Sequence, residues 1–480
     1  MPFAIASGHA LTTESAAAVL REGGTAVDGL VAAAFTAFVV EPVLAGPLGG
    51  GVAMIREPGK PPAILDAFVQ TPRRAAREAD LDLDTITVDF GAETQVFHIG
   101  AGTVATPCLV PALLDLHARL GRMPLRELAS EACALARKGH VVSPFQAHVL
   151  ELVAPIVTST PEAKAHFSAG DGLVRPGDTL ANPLLADVLE TLALEGPRFF
   201  AEGEIAAALL ALPGGHLMAD DLRHAAPVRR MPLHTARRGH DIWLNPAPAM
   251  GGLSIAAALE ALPDSFGPLT LAKAFDQIDR LRTEGPIDIE PLRALLKDHA
   301  AATRGTTHIS IMDAGGLTAA LTLSNGEGCG RMLPGTGIMP NNMLGEEDLV
   351  PEGPLAWTPD TRLATMMCPM LLRGATGEAV MGSGGSARIR TALTQVALHL
   401  TNGMPPEEAI LAPRLHMERG NIAFEDSPRW AEELRRAYPE ARIFTEPHMF
   451  FGGTHLAMRT ARGGFEAAAD PRREGAATIA

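Results

Sequence analysis

The sequence predicts an α+β fold in which helices cover sheet, and three observations carry that expectation. Apolar residues recur at helical spacing through the first 260 or so positions. After about residue 300 they switch to strict alternation. Gly and Pro, 48 and 38 in the whole chain, punctuate between segments, with no repeat array and no low-complexity tract. A chain of 480 residues, 47% apolar and 4% aromatic, can bury a large core without disulfides. Its length implies about three domains or one large layered unit.

In order, Thr13 is placed to cap a helix running from Glu14 to Arg21, and Gly23-Gly24 end it. Val27, Leu30, Val31, Ala34, Phe35 and Phe38 form a stripe for a core helix. Gly46 to Gly51 break that pattern ahead of a short strand, Val52 to Ile55, and lack the Lys-Ser/Thr ending of a phosphate-binding loop. Further helices are expected over 110–119, 125–137, 184–194 and 253–262. Lys297 to Gly305 is small and polar, a linker. Two alternating strands follow, Thr306–Met312 and Leu317–Ser324, joined at Asp313-Ala314-Gly315-Gly316 as a hairpin. With Ala314-Gly315 as a two-residue loop, Thr306 falls opposite Leu323, beside Ser324 and Asn325.

Composition excludes several classes. Forty Lys+Arg against 55 Asp+Glu leave a net charge of −15, so no basic face awaits nucleic acid. The four cysteines are far apart, against zinc ribbons and disulfide frameworks, and fit a reducing compartment. The N-terminal residues lack a basic stretch followed by an apolar one, and Ala26–Val40, interrupted by Asp28-Gly29, is too short to span a bilayer. The expectation is a soluble cytoplasmic protein with no membrane or nucleic-acid partner. His448 and His455 stand seven apart with no acidic motif beside them, and no metal is expected. Ser383, in Gly382-Ser383-Gly384-Gly385, misses the nucleophile-elbow pattern and is expected to be structural.

Thr306-Thr307-His308-Ile309-Ser310 resembles the start of the small subunit of γ-glutamyltransferases, N-terminal-nucleophile hydrolases made as precursors that cut themselves before a threonine. The similarity runs along nearly the whole chain. It takes in Gly24 to Asp28, Glu41-Pro42 to Gly51, Leu120-Gly121-Arg122 with Ala136 to Gly139, Gly382 to Ser386, Phe451 to His455 and Ala468 to Ala476, in the family's order. The resemblance implies a four-layer αββα sandwich and a cut between Gly305 and Thr306. Large and small chains of 305 and 175 residues would remain interlocked as a heterodimer, or a dimer of heterodimers, rather than as independent domains. A threonine hydroxyl is a weak nucleophile, and an α-amine with a pKa of about 7.7–8.0 on the same residue is a suitable base. That amine exists only after the cut.

By the same resemblance Thr306 is nucleophile and base, Thr322 or Ser324 supports it, and both remain open at this point. Asn325 holds the substrate's polar head, and the N–H groups at Gly385 and Ser386 form the oxyanion hole. The departures concern the substrate. Phe68 in Leu65-Asp66-Ala67-Phe68-Val69 stands where the family has an arginine for the glutamate α-carboxylate, with Arg73 or Arg74 as replacements no spacing demands. Glu346 replaces an aspartate that receives the ammonium. Thr365-Met366 replaces a pair of serines, and 347–362 is shorter than the family's lid loop, implying a more open pocket. The expected activity is cleavage of an amide through an acyl-Thr306 intermediate, without cofactor, on a small substrate other than glutathione. A true γ-glutamyltransferase is the alternative. An uncut, inactive ligand-binding homologue is the reading from another class, and a glycine-loop nucleotide-binding enzyme comes last.

Overall fold

The computed structural model describes residues 1–89, 94–284, 305–428 and 430–480. The expected linker therefore lies outside the described residues except for Gly305. Two antiparallel sheets face each other. One is seven-stranded, in the order Val228–Arg230, Ala63–Ala67, Gly50–Arg56, Thr318–Ser324, Thr307–Asp313, Phe3–Ser7, Ala476–Ile479. The other is six-stranded, in the order Leu233–Arg237, His240–Leu244, Met370–Gly374, Gly377–Gly384, Gly453–Thr460, Phe465–Ala469. Segments from before and after Thr306 are interleaved in the first sheet, so neither could form it alone.

Strand alternation sets the layers. In Thr307–Asp313, Ile309 and Ile311 join Phe35, Val31 and Leu109 in an apolar cluster with the helices Ala10–Arg21, Ala26–Val40 and Leu109–Leu120. Met312 turns the other way, meeting Val52, Met54, Leu371 and Val380 between the sheets. On the far side Leu372, Met381 and Leu456 pack under the helices Met250–Ala261, Pro268–Glu284 and Arg388–Thr401. The result is the αββα sandwich.

The expected helices form over Leu109–Leu120, Leu125–Lys138, Pro183–Glu195 and Met250–Ala261, and the short strand extends to Gly50–Arg56. Ala26–Val40 is buried on every side, more than its stripe suggested. Thr25 and Asp28 close its start as a capping box, and Asp28 also accepts from the Arg122 N–H at 3.0 Å. No described helix is long and apolar enough to cross a membrane.

Two local expectations are corrected. The first helix begins at Ala10 and is capped by His9, whose Nδ1 accepts from the Leu11 N–H. Thr13 is inside it, its hydroxyl tied to Ser7 Oγ at 2.6 Å and to the Ala476 carbonyl at 3.0 Å. A side chain that ties two strands to the helix is worth more there than as a cap. The hairpin loop has three residues, Ala314 to Gly316, because Met312 pairs with Thr318 and Gly316 takes φ +84. The Asp313 carboxylate accepts from the Leu317 N–H and closes the turn. Every pairing moves by one, so Thr307 faces Leu323 and the strand continues toward Thr306 beside Ser324.

Glu41, at the end of Ala26–Val40, is fully buried beneath Thr307, and burial pushes its carboxyl up to about 7 from 4.5. The folded state thus binds this proton more tightly than the unfolded one. The stability it contributes is present below about 4.5 and is lost as pH rises through about 7. Glu41→Gln should therefore gain on wild type in urea midpoint as pH is raised from 5 to 8. Parallel curves would contradict a buried, raised carboxyl.

Candidate active site

Thr306 is buried at the start of an inner strand of the first sheet, where the second sheet's Gly377–Gly384 strand ends. Two further side chains of its face line the inter-sheet space. His308 Nδ1 is 2.8 Å from Thr322 Oγ1, and its Nε2 is 2.9 Å from Ser310 Oγ. Ser310 donates across the gap to the His455 carbonyl at 3.2 Å. Burial holds the His308 imidazole well below its usual range, so it is neutral. The His308 ring fits because Gly382 opposite it has no side chain, and a Cβ there would collide with the ring.

The shifted register separates the two candidate hydroxyls. Thr322 is held by His308. Ser324 donates to the carbonyl oxygen of Gly305 and accepts from the Gly326 N–H at 2.9 Å. Thr306 Oγ1 is buried with no hydrogen-bond partner among the described residues. Gly305 is clasped closely, since a Cβ on it would collide with the Gly326 carbonyl oxygen and stand 3.2 Å from that of Val43.

Beside Thr306 the chain turns through Gly385 at φ +112 and Ser386 at φ +63. Two successive residues with positive φ leave both their N–H groups without a partner among the described residues, while the loop's carbonyls start the helix from Arg388. Gly384 backs directly onto the Thr306 carbonyl, and a Cβ there would collide with it. The Arg473 guanidinium stands behind the loop, its Nη1 3.5 Å from where a Gly384 Cβ would be and its Nη2 3.2 Å from that of Gly385. Ser383 is structural, accepting from the Gly453 N–H and donating to the Gly384 carbonyl.

On the substrate side, Asn325 donates from Nδ2 to the Met339 carbonyl at 3.0 Å, while its Oδ1 is buried without a partner among the described residues. Glu346 is wholly buried, both oxygens without a hydrogen bond among the described residues, and a Cβ on Gly326 would be 2.5 Å from its Oε1. Burial first, then Glu327 and Asp348, push its carboxyl well above the usual range. The Phe68 ring is fully buried in the inter-sheet cluster with Met343, Leu344 and Met367. Arg73 and Arg74 are exposed, Arg73 lying 3.6 Å from Asp360. The guanidinium that reaches Phe68 is Arg362, which donates to the Phe68 and Ala226 carbonyls and lies 4.0 Å from Asp66. Thr365 Oγ1 accepts from the Met367 N–H, and its carbonyl accepts from the Met250 N–H at the start of the Met250–Ala261 helix. Met366 packs in the outer apolar cluster of the second sheet. These two residues touch that helix and cluster, and among the described residues no hydrogen bond joins them to Thr306.

Sequence reasoning passed over Glu327, Arg362 and Arg473. Arg473 lay inside a quoted motif. Glu327 and Arg362 carry no local signal, since a lone charged residue in a loop reads as solvated.

A threonine at the start of an inner strand, facing a loop of free N–H groups between two helix-covered sheets, defines the N-terminal-nucleophile class of hydrolases. The gamma-glutamyltranspeptidase family model matches residues 12–283 and 268–480, and the chain belongs to that family. It is an amidohydrolase/acyltransferase enzyme of that superfamily. It is 28% identical over 481 residues to the acylase ACY 1 proenzyme of Pseudomonas sp. strain SE83, covering 91% of this chain and 84% of that one. It is 27% identical to the glutathione hydrolase proenzyme of Escherichia coli K12, covering 86% and 80%, and 27% identical to the oxamate amidohydrolase proenzyme of Klebsiella pneumoniae, covering 98% and 97%. The fold is similar to that of cephalosporin acylase from Bacillus halodurans, with a TM-score of 0.81 at 21% identity over 99% of this chain and 95% of that one.

A β-branched side chain at Gly385 would force a positive φ on a residue that resists it and place Cβ 2.7 Å from the Gly452 Cα. Gly385→Val should lower turnover by about two orders of magnitude or more, as loss of an oxyanion donor does. Unchanged kcat in a variant of unchanged circular dichroism would remove the loop from the site.

Proposed function

We propose that the chain cuts itself before Thr306 and that the mature enzyme transfers or hydrolyses acyl groups through an ester on Thr306 Oγ. The observation that carries this reading is the Ser324 hydroxyl bound to the Gly305 carbonyl, beside a Thr306 hydroxyl that is buried and unpartnered. A donor on that oxygen polarises the carbonyl and stabilises the oxyanion formed on attack. Thr306 Oγ adds to the Gly305 carbon, the C–N bond breaks, and the hydroxyl proton passes to the departing amine. Water then hydrolyses the Gly305 ester, leaving a carboxylate on Gly305 and a free amine on Thr306.

In the mature site that amine takes the Thr306 hydroxyl proton as the oxygen attacks a substrate amide. The Gly385 and Ser386 N–H groups receive the oxyanion, the amine of the substrate leaves with the proton, and water or an acceptor amine releases the acyl group. The large and small chains stay together because their strands are interleaved within one sheet.

The acyl group is one without a carboxylate at the position of the glutamate α-carboxylate. Phe68 offers an apolar ring there, and the two terminal nitrogens of Arg362 donate to backbone carbonyls. Glu346 keeps a carboxyl for a donor or ammonium on the substrate. The acylase and oxamate amidohydrolase relatives fit this reading, and glutathione hydrolases of similar identity stand beside them.

Thr306→Ala should run as one full-length band on a denaturing gel, where wild type gives chains of 305 and 175 residues. Ser324→Ala should slow the cut far more than Thr322→Ala. A wild type that stays whole after prolonged incubation would leave an uncut ligand-binding homologue as the better reading.

A matched pair of anilides tests the substrate, 4-aminobutanoyl against γ-glutamyl, which differ only in the α-carboxylate. Loss of a charge-assisted pair is worth about 1.5–3 kcal/mol, so kcat/KM should favour 4-aminobutanoyl by about tenfold or more. The reverse order would restore the γ-glutamyltransferase alternative.

A further inference from the structure

We propose that Glu327 is a positioning residue for maturation, clamping the residue that precedes the cut bond; this rests on the self-cleavage reading above. Gly305 is held from both sides. Its carbonyl oxygen takes the Ser324 hydroxyl, and its N–H donates to Glu327 Oε1 at 3.3 Å.

The loop that presents Glu327 is built for this approach. Ser324 ends a strand, and Asn325-Gly326-Glu327-Gly328 turns back with φ +64 at Gly326 and +89 at Gly328. Gly326 brings its own carbonyl against Gly305, and a side chain on it would strike Asn342 Oδ1. That same Asn342 oxygen accepts from the Glu327 N–H at 3.0 Å and fixes the carboxyl's starting point. Glu327 is 2% exposed, which is unusual for a glutamate in a loop. A buried carboxyl beside a second buried one, Glu346, costs stability. The donor it faces, the Gly305 N–H, belongs to the segment that the cut releases.

The chemical benefit is positional. Attack by Thr306 Oγ needs the Gly305 carbon within reach and correctly faced, and a glycine is the residue least able to hold its own conformation. With the carbonyl held by Ser324 and the N–H by Glu327, Gly305 loses the rotations that would carry its carbonyl off the attack line. Glu327 takes no proton and forms no bond in this role. An amide oxygen of similar reach would serve nearly as well, whereas a proton-accepting role would require the carboxylate.

The full chain can be pulse-labelled in a cell-free translation and chased, so that the precursor is followed from synthesis. Glu327→Leu should slow conversion to two chains by about tenfold or more, equivalent to about 1.4 kcal/mol in the barrier. Glu327→Gln, which keeps the acceptor, should convert within about threefold of wild type. Glu327→Asp, which withdraws the oxygens by one methylene, should fall between them and decides the matter if the leucine variant misfolds. Melting of each variant in the Thr306→Ala background, where every chain stays whole, separates slow cutting from poor folding. Wild-type rates in the leucine or, failing that, the aspartate variant would overturn the proposal, and so would a glutamine variant as slow as leucine. A wild-type chain that never converts is a different failure, that of self-cleavage itself.

Discussion

The contact on which the rest of this structure depends is backbone against backbone at the Gly305–Thr306 junction. The Gly326 carbonyl presses on Gly305, and Gly384 presses on the Thr306 carbonyl. A single β-carbon at either glycine would separate the segments, so the junction exists only while those positions lack side chains. Close approach of this kind places hydrogen-bond donors without relying on flexible side chains. Ser324 reaches the carbonyl before the threonine, and the Gly385–Ser386 loop stands beside the threonine itself. Rigid placement of this sort is what a weak nucleophile needs.

The layers around the junction keep its two sides in register. The helix Ala26–Val40 sits under the Thr307–Asp313 strand, and its capping box also holds Arg122. At the other end Asp470 accepts from Arg414 at 2.6 Å and from Arg472 at 3.3 Å. Arg472 in turn holds Glu425 at 2.5 Å. This buried ionic cluster ties the turn after Phe465–Ala469 to the segments around Leu415–Glu418 and Asn421–Glu425, and Arg473 follows it at the back of the Gly384–Gly385 turn. Removing one partner from such a cluster is severe, because the others are left charged and dry. The C-terminal motif is thus a clasp for the site as much as a part of it.

Charge around the site is asymmetric. Two buried carboxyl groups, Glu327 and Glu346, lie on the side of Gly326, and like-charge proximity adds to burial in raising Glu346. Phe68 is sealed in the apolar inter-sheet cluster, and the Arg362 guanidinium donates to the Phe68 and Ala226 carbonyls.

By itself the sequence determined the layered α+β architecture, the extents of four of the helices and the place of Thr306 at the start of a strand. Those rest on periodicity and on short motifs whose residues are neighbours in the chain, so local order is enough to read them. Tertiary structure decided the rest. One extra loop residue at Gly316 moved the hairpin register and gave the Gly305 carbonyl to Ser324 and Thr322 to His308. His9 displaced Thr13 as the first cap because Thr13 was needed to tie two strands. Glu327 and Arg362 acquired their partners from segments far away in sequence, through a positive-φ turn in one case and a crossing loop in the other. A side chain's partner is set by where the backbone passes, and spacing along the chain records only the nearest of those passes.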